Sequence, residues 1–230
     1  MSASSPSRDR RDSSSGHILI GGPGRSGTTL LVQYFTALGF DTGYDLAAAL
    51  SRVDPISRGG LEYSIGRTLA SGVTMPYVAK SPYFDDKLGP YLASGELKVS
   101  ACLVPMRNLQ DAAESRQHAS ERAAAAGLDY GAQPGGMQRG FRDVKQQRRQ
   151  LAVKFYQLIW ALVEHGVPVY FLPFPDFATD ADVLYDRLEV VLEEHGVSRV
   201  ESAAALAQVS DPTLIHHFQD PQPGGHVPGR

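Results

Sequence analysis

Residues 17–31 read His17-Ile18-Leu19-Ile20-Gly21-Gly22-Pro23-Gly24-Arg25-Ser26-Gly27-Thr28-Thr29-Leu30-Leu31, and the order of residue types in them decides the fold. The first four form a short apolar run ended by glycines, the pattern of a strand buried on both faces. From Thr28 the period changes: Leu30, Leu31, Tyr34, Phe35 and Leu38 recur at helical spacing, and Gly39 supplies a stop. Strand, glycine turn and helix in that order place unpaired backbone N–H groups, and the positive end of a helix dipole, at residues 21–29. Glycines let such a backbone curl round an anion without Cβ clashes. The segment therefore reads as a phosphate-binding loop. Gly22 and Gly27 have the spacing of a G-x-x-x-x-G nucleotide loop, but Thr28 stands where a nucleoside triphosphate loop carries lysine. The cation is instead Arg25, inside the loop, and two hydroxyls follow the second glycine.

The alternation continues downstream. Residues 76–79 read as a short strand ahead of Lys80-Ser81-Pro82, and residues 98–106 as a longer strand followed by a helix over 109–126. Residues 127–140, rich in glycine and holding Pro134, read as a mobile loop or lid. A long helix is expected near 141–165 with Val153, Tyr156, Gln157, Trp160 and Val163 or Glu164 on its core face. Its flank and first turns carry Arg139, Arg142, Lys145, Arg148 and Arg149, most simply a solvated face. Residues 167–172 read as another buried strand, and 181–195 as a helix packing Leu184, Leu188 and Leu192. Strands alternating with helices imply an α/β protein, three-layer α/β/α with a mainly parallel central sheet.

Length allows one α/β domain: 230 residues, 42% hydrophobic and 20% charged. A net charge of −3 gives no general sign of nucleic-acid binding. The single cysteine, Cys102, cannot form an intrachain disulfide, and its apolar neighbours suggest a buried thiol in a reducing cytoplasm. No apolar run approaches the ~20 residues of a membrane span. Residues 2–15 lack the apolar segment of a secretory signal. The expected organisation is a disordered tail over 1–15, an ordered domain over 16–218 and a flexible tail over 219–230.

The stretch Pro23-Gly24-Arg25-Ser26-Gly27-Thr28-Thr29-Leu30 resembles the 5′-phosphosulfate loop of sulfotransferases that use 3′-phosphoadenosine 5′-phosphosulfate (PAPS). That likeness accounts for the missing lysine and the displaced arginine together. About eighty residues on, Arg107-Asn108-Leu109-Gln110-Asp111-Ala112-Ala113-Glu114-Ser115 is similar to the family's Arg-x-Pro-x-Asp-x-x-x-Ser, with Leu109 in place of proline. A weaker echo is the late strand with Pro173-Phe174-Pro175-Asp176-Phe177 and an acidic amphipathic helix.

The resemblance implies a fold like the P-loop nucleoside triphosphate hydrolases and PAPS as the donor. It further implies adenosine 3′,5′-bisphosphate as product and no metal. The 5′-phosphosulfate would bind Gly24, Arg25, Ser26, Gly27, Thr28 and Thr29; the 3′-phosphate would bind Arg107 and Ser115. The reaction would be in-line sulfuryl transfer to a hydroxyl, less readily an amine, of a small-molecule or carbohydrate acceptor.

Transfer also needs charge neutralisation on the leaving oxygen and a base. Arg25 and Lys80 are the expected cations; Lys80-Ser81-Pro82 resembles an element of some carbohydrate and bacterial sulfotransferases. Asp54 and Glu62 are the expected candidate bases, with Asp41 and Asp45 nearby in sequence. His17 opens a strand, and the adjacent His216 and His217 make a poor metal pair. Two other readings remain at this stage: a small-molecule kinase using ATP and Mg²⁺, and a non-catalytic nucleotide-binding protein. The acceptor and the oligomeric state are not legible in the sequence.

Overall fold

The computed structural model describes residues 16–64, 72, 74–81, 84–141 and 143–215. The two expected tails, Pro82, Arg142, His216 and His217 lie outside them. The chain runs β1 (His17–Ile20), α1 (Thr28–Ala37), α2 (Leu46–Ser51), β2 (Val78–Lys80), α3 (Phe84–Ser94), β3 (Val99–Met106) and α4 (Leu109–Ala125). It continues α5 (Val144–Glu164), β4 (Val169–Pro173), α6 (Asp176–Thr179), α7 (Ala181–Glu194), α8 (Arg199–Val209) and a 3₁₀ turn at Pro212–Leu214.

The four strands pair in the order β2-β1-β3-β4, all parallel. The run Ile18-Leu19-Ile20 is central and wholly buried, and its alternate side chains feed two cores. Ile18 and Ile20 join Leu31, Tyr34, Phe35, Leu184 and Leu188 on one face of the sheet. Leu19 joins Ala79, Cys102, Val104, Leu158 and Leu162 on the other. Helices thus flank both faces, as a buried parallel sheet requires. Burial pushes the Cys102 thiol up to about 12, so it stays protonated and packs as a small hydrophobe.

Strand order fixes where a ligand fits. After β1 the chain crosses to β2 on one side and then returns to β3 on the other. The carboxyl ends of β1 and β3 therefore diverge at a switch point, leaving a crevice between the loops that follow them. Those loops are the glycine loop and the segment beginning at Arg107.

Two sequence expectations need correction. The outward face of α5, not its core face, carries Val153, Tyr156, Trp160 and Val163, which are 52%, 66%, 56% and 64% exposed. Gln157 and Glu164 are exposed as well. The buried face is Gln147, Leu151, Leu158, Ala161 and Leu162. The helix is apolar on both sides over this stretch, so periodicity alone could not choose between two stripes. The second strand covers Val78–Lys80, not 76–79, which places Lys80 within the sheet.

The sequence reading also missed α8, although Ser198 and Glu201 form a reciprocal capping box at its start. Lys145, Arg148 and Arg149 are exposed, as a solvated face requires.

Candidate functional site

The glycine loop leaves β1 and turns sharply into α1. Gly24, Arg25 and Gly27 have φ of +68°, +60° and +85°. Left-handed backbone at a non-glycine residue is sparsely populated and gathers at functional sites. Gly27 is the N-cap of α1 and provides no side-chain cap, so the first-turn N–H groups receive no side-chain acceptor there. Ser26 is wholly buried in this turn and its Oγ has no hydrogen-bond partner.

Three arginines converge on the loop. Arg25 donates from Nε to Ser115 Oγ at 3.1 Å and from Nη1 to the Ser57 carbonyl. Arg107, at the end of β3, donates to the Arg25 carbonyl at 2.8 Å and lies over the Phe174 ring. Arg116 donates to the carbonyls of Pro23 at 2.7 Å and Gly136 at 2.8 Å. Burial, then Arg116 and Arg107, lower the Arg25 guanidinium to about 10. Burial likewise lowers Arg107, opposed by Asp111.

Burial and the neighbouring guanidinium charges outweigh the opposing carboxylate of Asp54 and favour the neutral form of Arg25. In the free protein, protonating Arg25 therefore costs stability below about pH 10, a cost released as pH rises through that value. A bound polyanion reverses the balance. Affinity for adenosine 3′,5′-bisphosphate is expected to fall as pH rises through about 10, by at most about tenfold per unit. Arg25→Met should flatten that fall in a calorimetric titration series.

On the other side of the loop stands Lys80, 5% exposed. Its Nζ donates to Thr29 Oγ1 at 2.8 Å, the Gly60 carbonyl at 2.6 Å and Glu62 Oε1 at 3.0 Å. Burial lowers its pKa while Glu62 holds it up. Glu62 is 38% exposed, so the pair sits at the wall of the cleft with its carboxylate toward water.

The other carboxylates have structural duties. Asp54 Oδ1 accepts from the N–H groups of Ile56 at 3.0 Å and Ser57 at 2.6 Å and from Gln133 Nε2 at 2.7 Å. Burial pushes Asp54 up, but these bonds outweigh it and hold its pKa below the usual value, which ill suits a base. Asp45 caps α2 through the Ala48 N–H, and Asp41 accepts from the N–H groups of Gly43 and Tyr77. His17 bonds the Pro76 carbonyl at the opposite end of β1.

The glycine loop, the three arginines and the Lys80–Glu62 pair border one cleft of about 350 Å³, within the range that holds a small ligand. Its charged wall comprises Arg25, Arg58, Lys80, Arg107, Arg116 and Lys154 against Glu62 and Asp211. Six cations against two carboxylates, in a chain of net charge −3, focus positive potential in the cleft beside the glycine loop. Of the expected binding residues, Gly24, Arg25, Gly27, Thr28, Thr29, Arg107 and Ser115 line it, as do Lys80 and Glu62; Ser26 and Asp54 do not.

Residues 127–140 pack beside the loop. Gln133 reaches Asp54, Met137 N–H donates to Ser120 Oγ, and Gln138 N–H donates to Gln147 Oε1. Sequence reasoning missed Arg116, Ser57 and Gln147. Arg116 directly follows the motif serine, one helical step from Ser115, and that adjacency was the available signal. Ser57 contributes a backbone carbonyl, and Gln147 comes from a helix with no motif.

No protein-family model, curated protein or solved structure matches the chain.

Proposed function

We propose that the chain is a PAPS-dependent sulfotransferase built on a P-loop-type α/β scaffold. The observation that carries this reading is the meeting of Arg25, inside a glycine loop that lacks the lysine of nucleoside triphosphate loops, with Arg107 and Ser115 from β3 and α4. A donor with phosphate at both the 3′ and 5′ positions needs two anion subsites, and two separate sequence segments supply guanidinium and hydroxyl groups at one crevice. The uncapped start of α1 and the excess of cations fit such a ligand.

In this reading the loop N–H groups and Arg25 hold the 5′-phosphosulfate, and Arg107 and Ser115 hold the 3′-phosphate. Lys80 gives up its bond to Thr29 Oγ1 and donates that N–H to the oxygen that leaves sulfur. Transfer forms a bond from the acceptor oxygen to sulfur and breaks the bond from sulfur to the bridging oxygen, whose electron pair stays on the 5′-phosphate. The acceptor proton passes to Glu62, the cleft carboxylate next to Lys80.

The deciding experiment is a thermal-shift comparison of adenosine 3′,5′-bisphosphate with ATP–Mg²⁺, because a ligand of the native state alone raises Tm. The bisphosphate should give the larger shift; preference for ATP would sink the reading in favour of a kinase. Arg107→Ala should weaken the bisphosphate by about tenfold to a hundredfold, the size of one charge-assisted contact. Its effect on adenosine 5′-monophosphate should be small, and equal losses on both would remove Arg107 from the 3′-phosphate site.

A further inference from the structure

One wall of the cleft takes no part in holding the nucleotide in the reading above. It is the inner face of α5, where Gln147, Leu151, Lys154, Phe155 and Leu158 recur at helical spacing and all line the cleft. Leu151, Phe155 and Leu158 give it an apolar surface. Lys154 is the one charged side chain among the five.

Gln147 is the informative member. Its side chain is 0% exposed, and its Oε1 is committed to the Gln138 N–H at 2.8 Å. That bond leaves the two N–H groups on Nε2 buried without an acceptor. A buried donor of this kind is costly to a protein that never meets an oxygen there. Lys154 lies on the same wall of the cleft and brings a positive charge to it.

We infer that the α5 wall is the acceptor subsite and that the acceptor it fits is a hydroxy acid with an apolar body. Lys154 meets its carboxylate, Leu151, Phe155 and Leu158 cover its hydrocarbon, and Gln147 Nε2 donates to a further oxygen. Three apolar side chains with one cation and one amide disfavour a sugar, whose many hydroxyls would find too few partners. This inference rests on the sulfotransferase reading and names the substrate class within it.

The test is binding to the full chain saturated with adenosine 3′,5′-bisphosphate, read as the rise in Tm. Two matched pairs serve as probes: 4-hydroxyphenylacetate with 4-methylphenol, and 6-hydroxyhexanoate with 1-hexanol. In at least one pair the acid should bind tenfold or more tightly than its uncharged partner. Lys154→Met, or Lys154→Gln if that variant does not fold, should erase the difference. Gln147→Leu should weaken the acid about tenfold while leaving bisphosphate binding unchanged, an outcome a general loss of structure would not give; its ligand-free Tm should fall, because the Gln138 N–H loses its acceptor. Equal binding of acid and uncharged partner in both pairs, or no shift from any probe while the bisphosphate still stabilises, overturns the acceptor class and leaves the nucleotide reading standing. Failure of the bisphosphate itself to raise Tm is the separate failure of that reading.

Discussion

Gly27→Ala is expected to lower stability by about 2–5 kcal/mol and to abolish measurable bisphosphate binding. Two penalties combine. The residue sits at φ +85°, where an L side chain costs roughly 1–2 kcal/mol. Its new Cβ would also lie 2.7 Å from Phe177 Cζ and 3.0 Å from Phe174 Cδ2. The Phe177 ring is wholly buried and packs edge-on to Phe174, so it has no free space to enter. Relief must come from moving the start of α1, and that displaces the N–H groups proposed to hold phosphate. Gly39→Ala is the control: φ is +82°, but nothing lies within 4 Å of the added carbon. It should cost only roughly 1–2 kcal/mol and leave binding intact. Urea denaturation and calorimetry on the two variants separate the effects. Similar losses from both would show that the ring contact does not constrain the loop.

Lys80→Met should reduce sulfuryl transfer by about 10²–10³ in kcat while changing bisphosphate affinity by less than about tenfold. Nζ touches Thr29 at the helix start and Glu62 at the cleft wall, so it lies between the loop and the proposed base. Charge on the leaving oxygen develops only during transfer, and loss of a donor aimed there falls on kcat. The fold should tolerate the change. Methionine keeps most of the buried volume, and the partly exposed Glu62 can turn to water once its partner is gone. Single-turnover transfer with a bound acceptor, beside a denaturation curve, reads both quantities. A loss of affinity as large as the loss of kcat would make Lys80 a binding residue only.

The local order strand, glycine turn, helix was legible because each element has its own signature. The run His17–Ile20 lacks polar faces, Thr28–Ala37 has a helical period, and the loop between them is built of residues that favour turns. Arg107 and Ser115 were singled out by resemblance to a family motif, and the structure brings both to the glycine loop, where Arg107 meets the Arg25 carbonyl and Ser115 the Arg25 guanidinium. The face of α5 was not legible. Apolar residues lie on both of its sides, and only packing against the sheet shows that Leu151 and Leu158 are inside while Trp160 is outside. Asp54 shows the same limit. A carboxylate ahead of proline reads alike whether it serves as a base or a turn cap, and only the folded chain shows Asp54 bonded to Ser57 and Gln133.

By itself the sequence determined the alternation that builds a parallel sheet and the glycine loop that leads from β1 into α1, because both follow from short-range periodicity and backbone sterics. Tertiary structure decided which distant groups meet that loop. Arg25 and Arg107 are 82 residues apart, and Lys80 and Thr29 are 51 apart. They come together because β1 lies between β2 and β3, a strand order that no local pattern encodes.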